Sequence, residues 1–187
     1  MLKIAVIIGS TRPGRKGEAV GKWVHGHAQK RTDATFDLVD LAEINLPLLD
    51  EPVPPSQNKY SKDHTKAWSA KIQPYDGFVF VTPEYNRGTS GALKNAIDFL
   101  YNEWTNKAAG FVGYGSAGGS RAIESLRLVM GELQIADVRA AVSLMLRSDW
   151  EDFKVFKPQE HQLKALDSML DQVVAWSGAL QPLRVRR

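Results

Sequence analysis

Two runs of this chain, Ile4-Ala5-Val6-Ile7-Ile8 and Gly77-Phe78-Val79-Phe80-Val81, carry no polar side chain at any position. A strand with one wet face alternates polar and apolar residues, so an unbroken apolar run predicts a strand covered on both faces, as the inner strands of a parallel sheet are. Parallel neighbours cannot be joined by tight hairpins and need crossovers, usually helices. These two runs therefore point to a layered α/β fold rather than a sandwich or a bundle.

The remaining periodicities supply the other layers. Strands are expected at Lys3 to Ile8, Thr35 to Asp40, Gly77 to Thr82, Ala108 to Tyr114 and Val138 to Met145. Spacings near i, i+3 or i+4, i+7 mark helices through Val20, Trp23, Val24 and His27; through Leu93, Ala96, Ile97 and Leu100; through Ile123, Leu126, Met130 and Leu133; and through Leu163, Leu166, Leu170 and Val173. A weaker helix is expected from Lys62 to Ile72. Five strands with intervening helices, the first and third strands central, predict a single domain over residues 1 to 187: a doubly wound parallel sheet of order 2-1-3-4-5 with helices on both faces. Glu43 to Tyr60 holds Pro47, Pro52, Pro54 and Pro55 and sustains neither period. It reads as a long loop, either a functional lid or subunit contact or an ordered surface crossover.

Composition excludes several chemistries. A chain of 187 residues with 43% hydrophobic content buries roughly two-thirds or more of its unfolded surface and needs no staples. It has no cysteine, which removes disulfides, thiolate metal sites and a cysteine nucleophile, so redox chemistry would require a bound cofactor. His25, His27, His64 and His161 form no metal-ligand set, since His25 and His27 stand two apart on a helix and point to different sides. No metal and no catalytic side chain is assigned. The net charge of +3 and the pI near 9.1 partly reflect Arg184, Arg186 and Arg187, and the lysines and arginines form no stripe of the kind nucleic acids select. Met1-Leu2-Lys3 leads into an apolar run too short for a signal peptide, and no stretch reaches about 18 apolar residues. A cytoplasmic protein without a membrane span is expected.

In an open parallel sheet, ligands bind outside the carboxyl ends of the strands, and three polar loops follow strands here. Gly9 to Val20 opens the first helix, whose unpaired N–H groups and positive dipole end suit an anion. Ser10 and Thr11 add hydroxyl donors, Gly14 and Gly17 permit close backbone approach, and Arg12 and Arg15 offer forked donors, a set suited to a phosphomonoester. Gly9 and Gly14 have the spacing of a nucleotide-triphosphate loop, but Arg15-Lys16 stands where Lys-Ser or Lys-Thr is required. Thr82 to Asp98 carries Tyr85 and Asn86, a flat surface and a two-way hydrogen-bonding amide. Gly113 to Arg121 repeats the strand-Gly-helix device, and Gly118-Gly119 predicts backbone N–H groups open to a ligand.

The order and wording of these loops, above all Pro83-Glu84-Tyr85-Asn86 followed by Gly91 and Leu93-Lys94-Asn95-Ala96-Ile97-Asp98, resemble the NADPH-dependent FMN reductase family. These are flavodoxin-like flavoproteins that include quinone, azo-dye and chromate reductases, and the resemblance covers nearly the whole chain. It implies an FMN cofactor reduced by NADPH or NADH, with hydride arriving at and leaving from flavin N5 toward small acceptors: quinones, azo compounds, free flavins or metal oxyanions. It further implies cofactor contacts from Ser10, Arg12, Arg15, Gly17, Ala19 and Val20 in the phosphate loop. The ring would meet Pro83, Glu84, Tyr85, Asn86 and Arg87, with Glu84 mainly structural, while Ser116, Gly118 and Gly119 would lie at the N1–C2=O2 edge.

The chain departs from the family at three points. Arg15 stands near a common serine, Ser90 where a proline is usual, and Phe99 where tryptophan is frequent. Ser90 or Thr89 is expected to cap the following helix instead. Lys94, Asn95 and Asp98 are expected to pack the loop and make a subunit contact. The resemblance also implies homodimers, sometimes tetramers, with the Ser90 to Leu100 helix at the interface; residues around Trp104 and the Glu43 to Tyr60 loop are candidates for a wall given to the neighbouring site, with a core position for Trp104 as the alternative. A flavodoxin-like electron carrier or redox-sensing partner without nicotinamide turnover is the alternative function, and a nucleotide-binding protein without redox chemistry a third.

Overall fold

The computed structural model of the protein describes residues 1–185, so Arg186 and Arg187 lie outside the described residues. The chain runs β1 (Leu2–Ile8), α1 (Gly17–Ala28), β2 (Ala34–Asp40), α2 (Leu41–Ile44), α3 (Asp63–Ile72), β3 (Gly77–Pro83), α4 (Gly91–Asp98), β4 (Ala108–Gly115), α5 (Ser120–Glu132), β5 (Ala136–Met145), β6 (Trp150–Glu151), β7 (Val155–Phe156) and α6 (Glu160–Val185). Strands β1 to β5 form one parallel sheet of order β2-β1-β3-β4-β5, the flavodoxin-like order. Register explains the apolar runs: Val6 stands between Leu38 and Val79, and Phe80 between Ile7 and Phe111, and every residue of Ile4 to Ile8 and Gly77 to Val81 is buried.

Each face of the sheet owns a core. Val20 and Val24 of α1 pack with Leu166, Met169 and Val173 of α6 over Ile4, Val6, Val79 and Val112. On the other face Trp68 of α3, Leu93 and Ile97 of α4, and Leu126 and Met130 of α5 cover Ile7, Phe78, Phe80 and Phe111. The alternation of faces along β1 and β3 follows from the two-residue period of a strand. No helix among the described residues is long and apolar enough to cross a membrane.

Trp104 is a core residue and not a wall for a neighbouring site. It is 0% exposed, its ring lies 4.8 Å from Phe78, and its indole N–H donates to Ile97 O at 3.0 Å. A tryptophan so enclosed has no surface to offer another subunit. The Glu43 to Tyr60 segment is an ordered crossover, containing the end of α2 and a 3₁₀ turn at Pro55–Gln57. Asn95 ties it to α4, donating to Pro47 O at 2.7 Å and accepting from Leu49 N at 2.9 Å. Glu51 accepts from Ser61 N and Lys62 N, both at 2.9 Å, just before α3. Lys94 and Asp98 pair along α4 at 2.7 Å.

Two elements exceed the periodicity reading. Helix α6 continues 12 residues beyond Val173, to Val185, with Pro182 inside it; its last described turn is tied down by Arg184, which bonds Asp76 at 2.5 Å and Asn106 O at 3.0 Å. The β6–β7 hairpin consists of two residue pairs, too short a run to show a two-residue period.

Candidate active site

The sheet changes winding direction between β1 and β3, and the loops after β1, β3 and β4 meet there, at the switch point where such sheets hold ligands. Two contacts fix the first loop against the second. Gly9 N donates to Val81 O at 2.8 Å. A Cβ on Gly9 would stand 2.8 Å from Leu93 Cδ2 and 3.0 Å from Val81 O, so the residue must be glycine. Ser90 Oγ accepts from Leu93 N at 3.1 Å, capping α4, and donates to Gly9 O. The serine that replaces a usual proline thus joins the two loops by hydrogen bonds a proline cannot make.

The first turn of α1 has the open donors an anion site needs. The helix begins at Gly17; its N-cap, Lys16, has helical dihedrals and no side-chain capping bond among the described residues. Val20 N already donates to Lys16 O at 3.3 Å and the Val20 side chain is core, so the open donors are those of the turn before it. Val20 therefore drops out of the expected contacts as a donor, while Ala19 is exposed at the turn. Ser10 is 0% exposed. Its Oγ lies beside the Tyr114 hydroxyl but makes no hydrogen bond of ordinary geometry among the described residues. A Cβ on Gly17 would fall 2.2 Å from Ser10 Oγ and 2.6 Å from the Tyr114 hydroxyl oxygen, which requires glycine there. Burial pushes the Tyr114 phenol up to about 12, so it stays protonated at neutral pH.

The two arginines of the loop divide the work. Arg15 does not point free as a charged clamp: Nη1 donates to Ser10 O and to Asp40 Oδ1, and Nη2 to Asp40 Oδ2, each at 2.5 Å. It braces the loop from beneath. Arg12 is exposed, and its Nε donates to the Tyr85 hydroxyl at 3.1 Å, spanning the loops after β1 and β3. Lys16 shares the crevice with Arg12, Tyr85, Tyr114 and Leu146.

The second loop is a tight turn. Tyr85 and Gly88 exchange two backbone hydrogen bonds, at 2.9 and 3.0 Å, around Asn86 at φ 48° and Arg87 at φ 69°. Positive φ at both central residues is the signature of a type I′ turn, and Arg87 is an unusual occupant. Pro83 is buried and Tyr85, Asn86 and Arg87 are exposed. Glu84 is structural: its carboxylate holds Arg121 at 2.6 Å and accepts from Arg121 N at 3.2 Å.

The third loop corrects the expectation for Gly118. A Cβ on Gly119 would strike Tyr114 N at 2.5 Å and Gly113 C at 2.6 Å, and one on Gly118 would meet Ser143 Cβ at 2.9 Å; both residues have positive φ. Their missing side chains make room for the protein's own strands, while the Gly119 N–H makes no hydrogen bond among the described residues. Gly118 N is also spent on Gly115 O at 3.2 Å. Ser116 is exposed at the carboxyl end of β4.

Sequence reasoning missed Asp40, Lys16, Tyr114 and Leu146. Asp40 ends β2, Tyr114 is the penultimate residue of β4 and Leu146 follows β5, so position at the carboxyl end of a strand was the available signal. No three His, Cys, Asp or Glu side chains among the described residues gather as a metal site. A cavity of about 560 Å³ lies elsewhere, around Lys107, Glu103 and Arg184, and shares no residue with the three loops.

The donor set fits a phosphate: an uncapped helix start, a buried hydroxyl beside it, and exposed Arg12 with half-buried Lys16 at one mouth. With an exposed aromatic turn alongside, at the switch point of a flavodoxin-like sheet, this defines a protein built to hold a phosphorylated cofactor with a flat ring. The model of the NADPH-dependent FMN reductase family matches residues 2–148, and the chain belongs to that family. It is 42% identical over 159 residues to an NAD(P)H-dependent FMN reductase of Nectria sp, covering 80% of this chain and 79% of that protein. It is 34% identical over 110 residues to a 2-hydroxy-1,4-benzoquinone reductase of Burkholderia sp, covering 55% of this chain and 52% of that one. In fold it matches the flavoenzyme NAD(P)H:(acceptor) oxidoreductase FerB of Paracoccus denitrificans with a TM-score of 0.73 at 24% identity, over 96% of this chain and 98% of that one.

Proposed function

We propose that the crevice holds FMN with its phosphate on the first turn of α1 and its ring beside the Pro83 to Arg87 turn, and that the protein is an NAD(P)H oxidoreductase for small acceptors such as quinones, azo compounds, flavins and metal oxyanions. The observation that carries this reading is the uncapped start of α1 with the buried Ser10 Oγ beside it, a hydroxyl that makes no hydrogen bond of ordinary geometry among the described residues. The quinone reductase among the relatives supports the acceptor class. FMN, when bound, supplies hydride transfer between nicotinamide and acceptor. The chain's own part is positioning: Ser10, Arg12 and the N–H groups of Gly17 to Ala19 bind the phosphate, and the Tyr85–Gly88 turn presents Tyr85 and Asn86 to the ring. Purified protein should take up FMN and then oxidise NADPH or NADH in the presence of a quinone. Failure to bind FMN overturns the reading, and tight binding without nicotinamide oxidation by any quinone overturns its enzymatic half.

The same reading extends to a cytoplasmic homodimer with α4 in its interface. Leu128 of α5 stands 81% exposed, and an apolar cavity of about 430 Å³ lies beside it against Lys94, Asp98 and Leu100. A face of that kind favours a covering partner. Sedimentation that finds a monomer at micromolar concentration with full turnover would remove the dimer from the proposal.

A further inference from the structure

The β6–β7 hairpin lies beyond residue 148, where the match to the family model ends, and it is tied to the crevice. Two residue pairs do not make a stable hairpin alone; packing holds this one. Trp150 is 4% exposed, its ring 4.8 Å from Phe156 and 6.3 Å from Tyr114. Phe156 in turn meets Trp23 of α1 edge-on at 5.6 Å. Lys16, a crevice residue, lies 5.9 Å over the Trp150 ring and donates from Nζ to the carbonyl of Phe153. The hairpin tip is therefore anchored to the rim of the proposed cofactor site.

The tip itself is costly. Asp152 and Phe153 adopt φ of 49° and 54° in succession. Aspartate tolerates this region, but an aromatic residue there is an outlier, and glycine would relieve it. Phe153 stays outside the core, being 56% exposed. Neither backbone preference nor core packing accounts for an aromatic ring at this position, and backbone strain of this kind gathers where a ligand is handled.

We infer that the β6–β7 hairpin is an acceptor-selecting rim of the crevice, its Phe153 ring giving planar aromatic acceptors a contact that compact inorganic oxidants do not use. The inference rests on the proposed FMN-dependent function. The surroundings fit an apolar, electron-poor ring: Tyr85, which lines the crevice, is 36% exposed, and Arg12 and Lys16 line it as cations. A flat quinone meets both surfaces, whereas ferricyanide, a hydrated anion, needs only charge.

The test compares Phe153→Ala, Phe153→Gly and Phe153→Leu with the parent protein, all loaded with FMN. The glycine variant removes the ring while relaxing the backbone, and the leucine variant keeps apolar bulk. We expect kcat/KM for 1,4-naphthoquinone to fall about three- to tenfold in the alanine and glycine variants, the span of one aromatic contact. The leucine variant should lie between them and the parent. kcat/KM for ferricyanide and the Kd for FMN should stay within about twofold. The Kd of the oxidised, FMN-loaded protein for the quinone, measured without reductant so that nothing turns over, should weaken in parallel. Unchanged quinone constants, or equal losses for quinone and ferricyanide, would overturn the inference while leaving the cofactor assignment standing. A parent protein that binds no FMN would instead overturn the function on which it rests.

Discussion

Arg15 and Asp40 hold each other through two parallel hydrogen bonds, Nη1 to Oδ1 and Nη2 to Oδ2, both 2.5 Å. The pair joins the end of β2 to the loop after β1, and because Arg15 also donates to Ser10 O it sets the backbone on which the buried hydroxyl stands. Hydrogen bonding to Asp40 raises the Arg15 guanidinium above its ordinary value. Burial works to raise the Asp40 carboxyl, but the hydrogen bonds from Arg15 and Ala42 N outweigh it and leave it below the usual carboxylate range.

Asp40→Asn keeps the shape and removes the charge, so about 1.5–3 kcal/mol of stability should be lost at neutral pH, the worth of hydrogen bonds to a charged group. Urea unfolding measures it. The folded state favours the charged carboxylate, so the pair's stabilisation is present above the ordinary aspartate value of 3.8 and disappears as pH falls through the lowered one. The parent should converge on the variant in that acid range, and identical unfolding curves at pH 7 would rule out the brace.

Arg12→Ala should weaken FMN binding by about 1.5–3 kcal/mol if the guanidinium bonds the phosphate, with little effect on riboflavin, which has none. Equal losses for the two ligands would place the phosphate elsewhere. Because Arg12 also reaches the Tyr85 hydroxyl at 3.1 Å, Tyr85→Phe serves as the control for loosening the second loop without touching the charge.

How much of this was legible beforehand depended on whether a signal was local. The two central strands followed from Ile4 to Ile8 and Gly77 to Val81, because two-sided burial leaves its mark on every residue of a strand. Ser90 as the cap of α4 was likewise local, a side chain bonding a backbone N–H three residues on. The bond that turns the forked donors of Arg15 inward is not local: its partner, Asp40, is 25 residues away and nothing in the loop's wording announces it. A glycine pair such as Gly118-Gly119 reports only that a Cβ is excluded, not what excludes it. The excluding atoms, in Tyr114, Gly113 and Ser143, belong to neighbouring strands. The β6–β7 hairpin escaped for lack of length, being held by rings from α1 and β4 rather than by its own ladder.

Gly17→Ala tests the floor of the anion site. The new Cβ would press on Ser10 Oγ and the Tyr114 hydroxyl, and neither has room to retreat, since Ser10 is 0% and Tyr114 5% exposed. Overpacking of this kind costs about 1–3 kcal/mol, and the displaced hydroxyl should weaken FMN more than riboflavin. Thermal melting with and without FMN separates the effects: a variant as stable as the parent, with unchanged FMN affinity, would show that the three groups are not in register.

Lys107 gives a prediction on the far side of the molecule. It precedes β4 and is 4% exposed; its Nζ donates to the last carbonyls of α3, Gln73 O at 3.0 Å and Ile72 O at 3.3 Å, and lies 5.4 Å from the Phe78 ring centre. Burial, reinforced by the charge of Arg184 and only partly opposed by Asp76 and Glu103, brings the ammonium down to about 7 from an ordinary 10.5. Between those values the unfolded chain holds a proton that the folded one has released, so stability should rise with pH from about 7 toward 10. Above that range the trend reverses, because burial has pushed Tyr75 and Tyr114 up to about 12 from an ordinary 10.0, and the unfolded chain then loses protons the folded state keeps. Lys107→Met removes the titrating group while filling the same space, so its unfolding free energy should be flat across about pH 7 to 9, below the onset of tyrosine ionisation, whatever its absolute value. A variant that retains the parent's slope would assign that rise to another group.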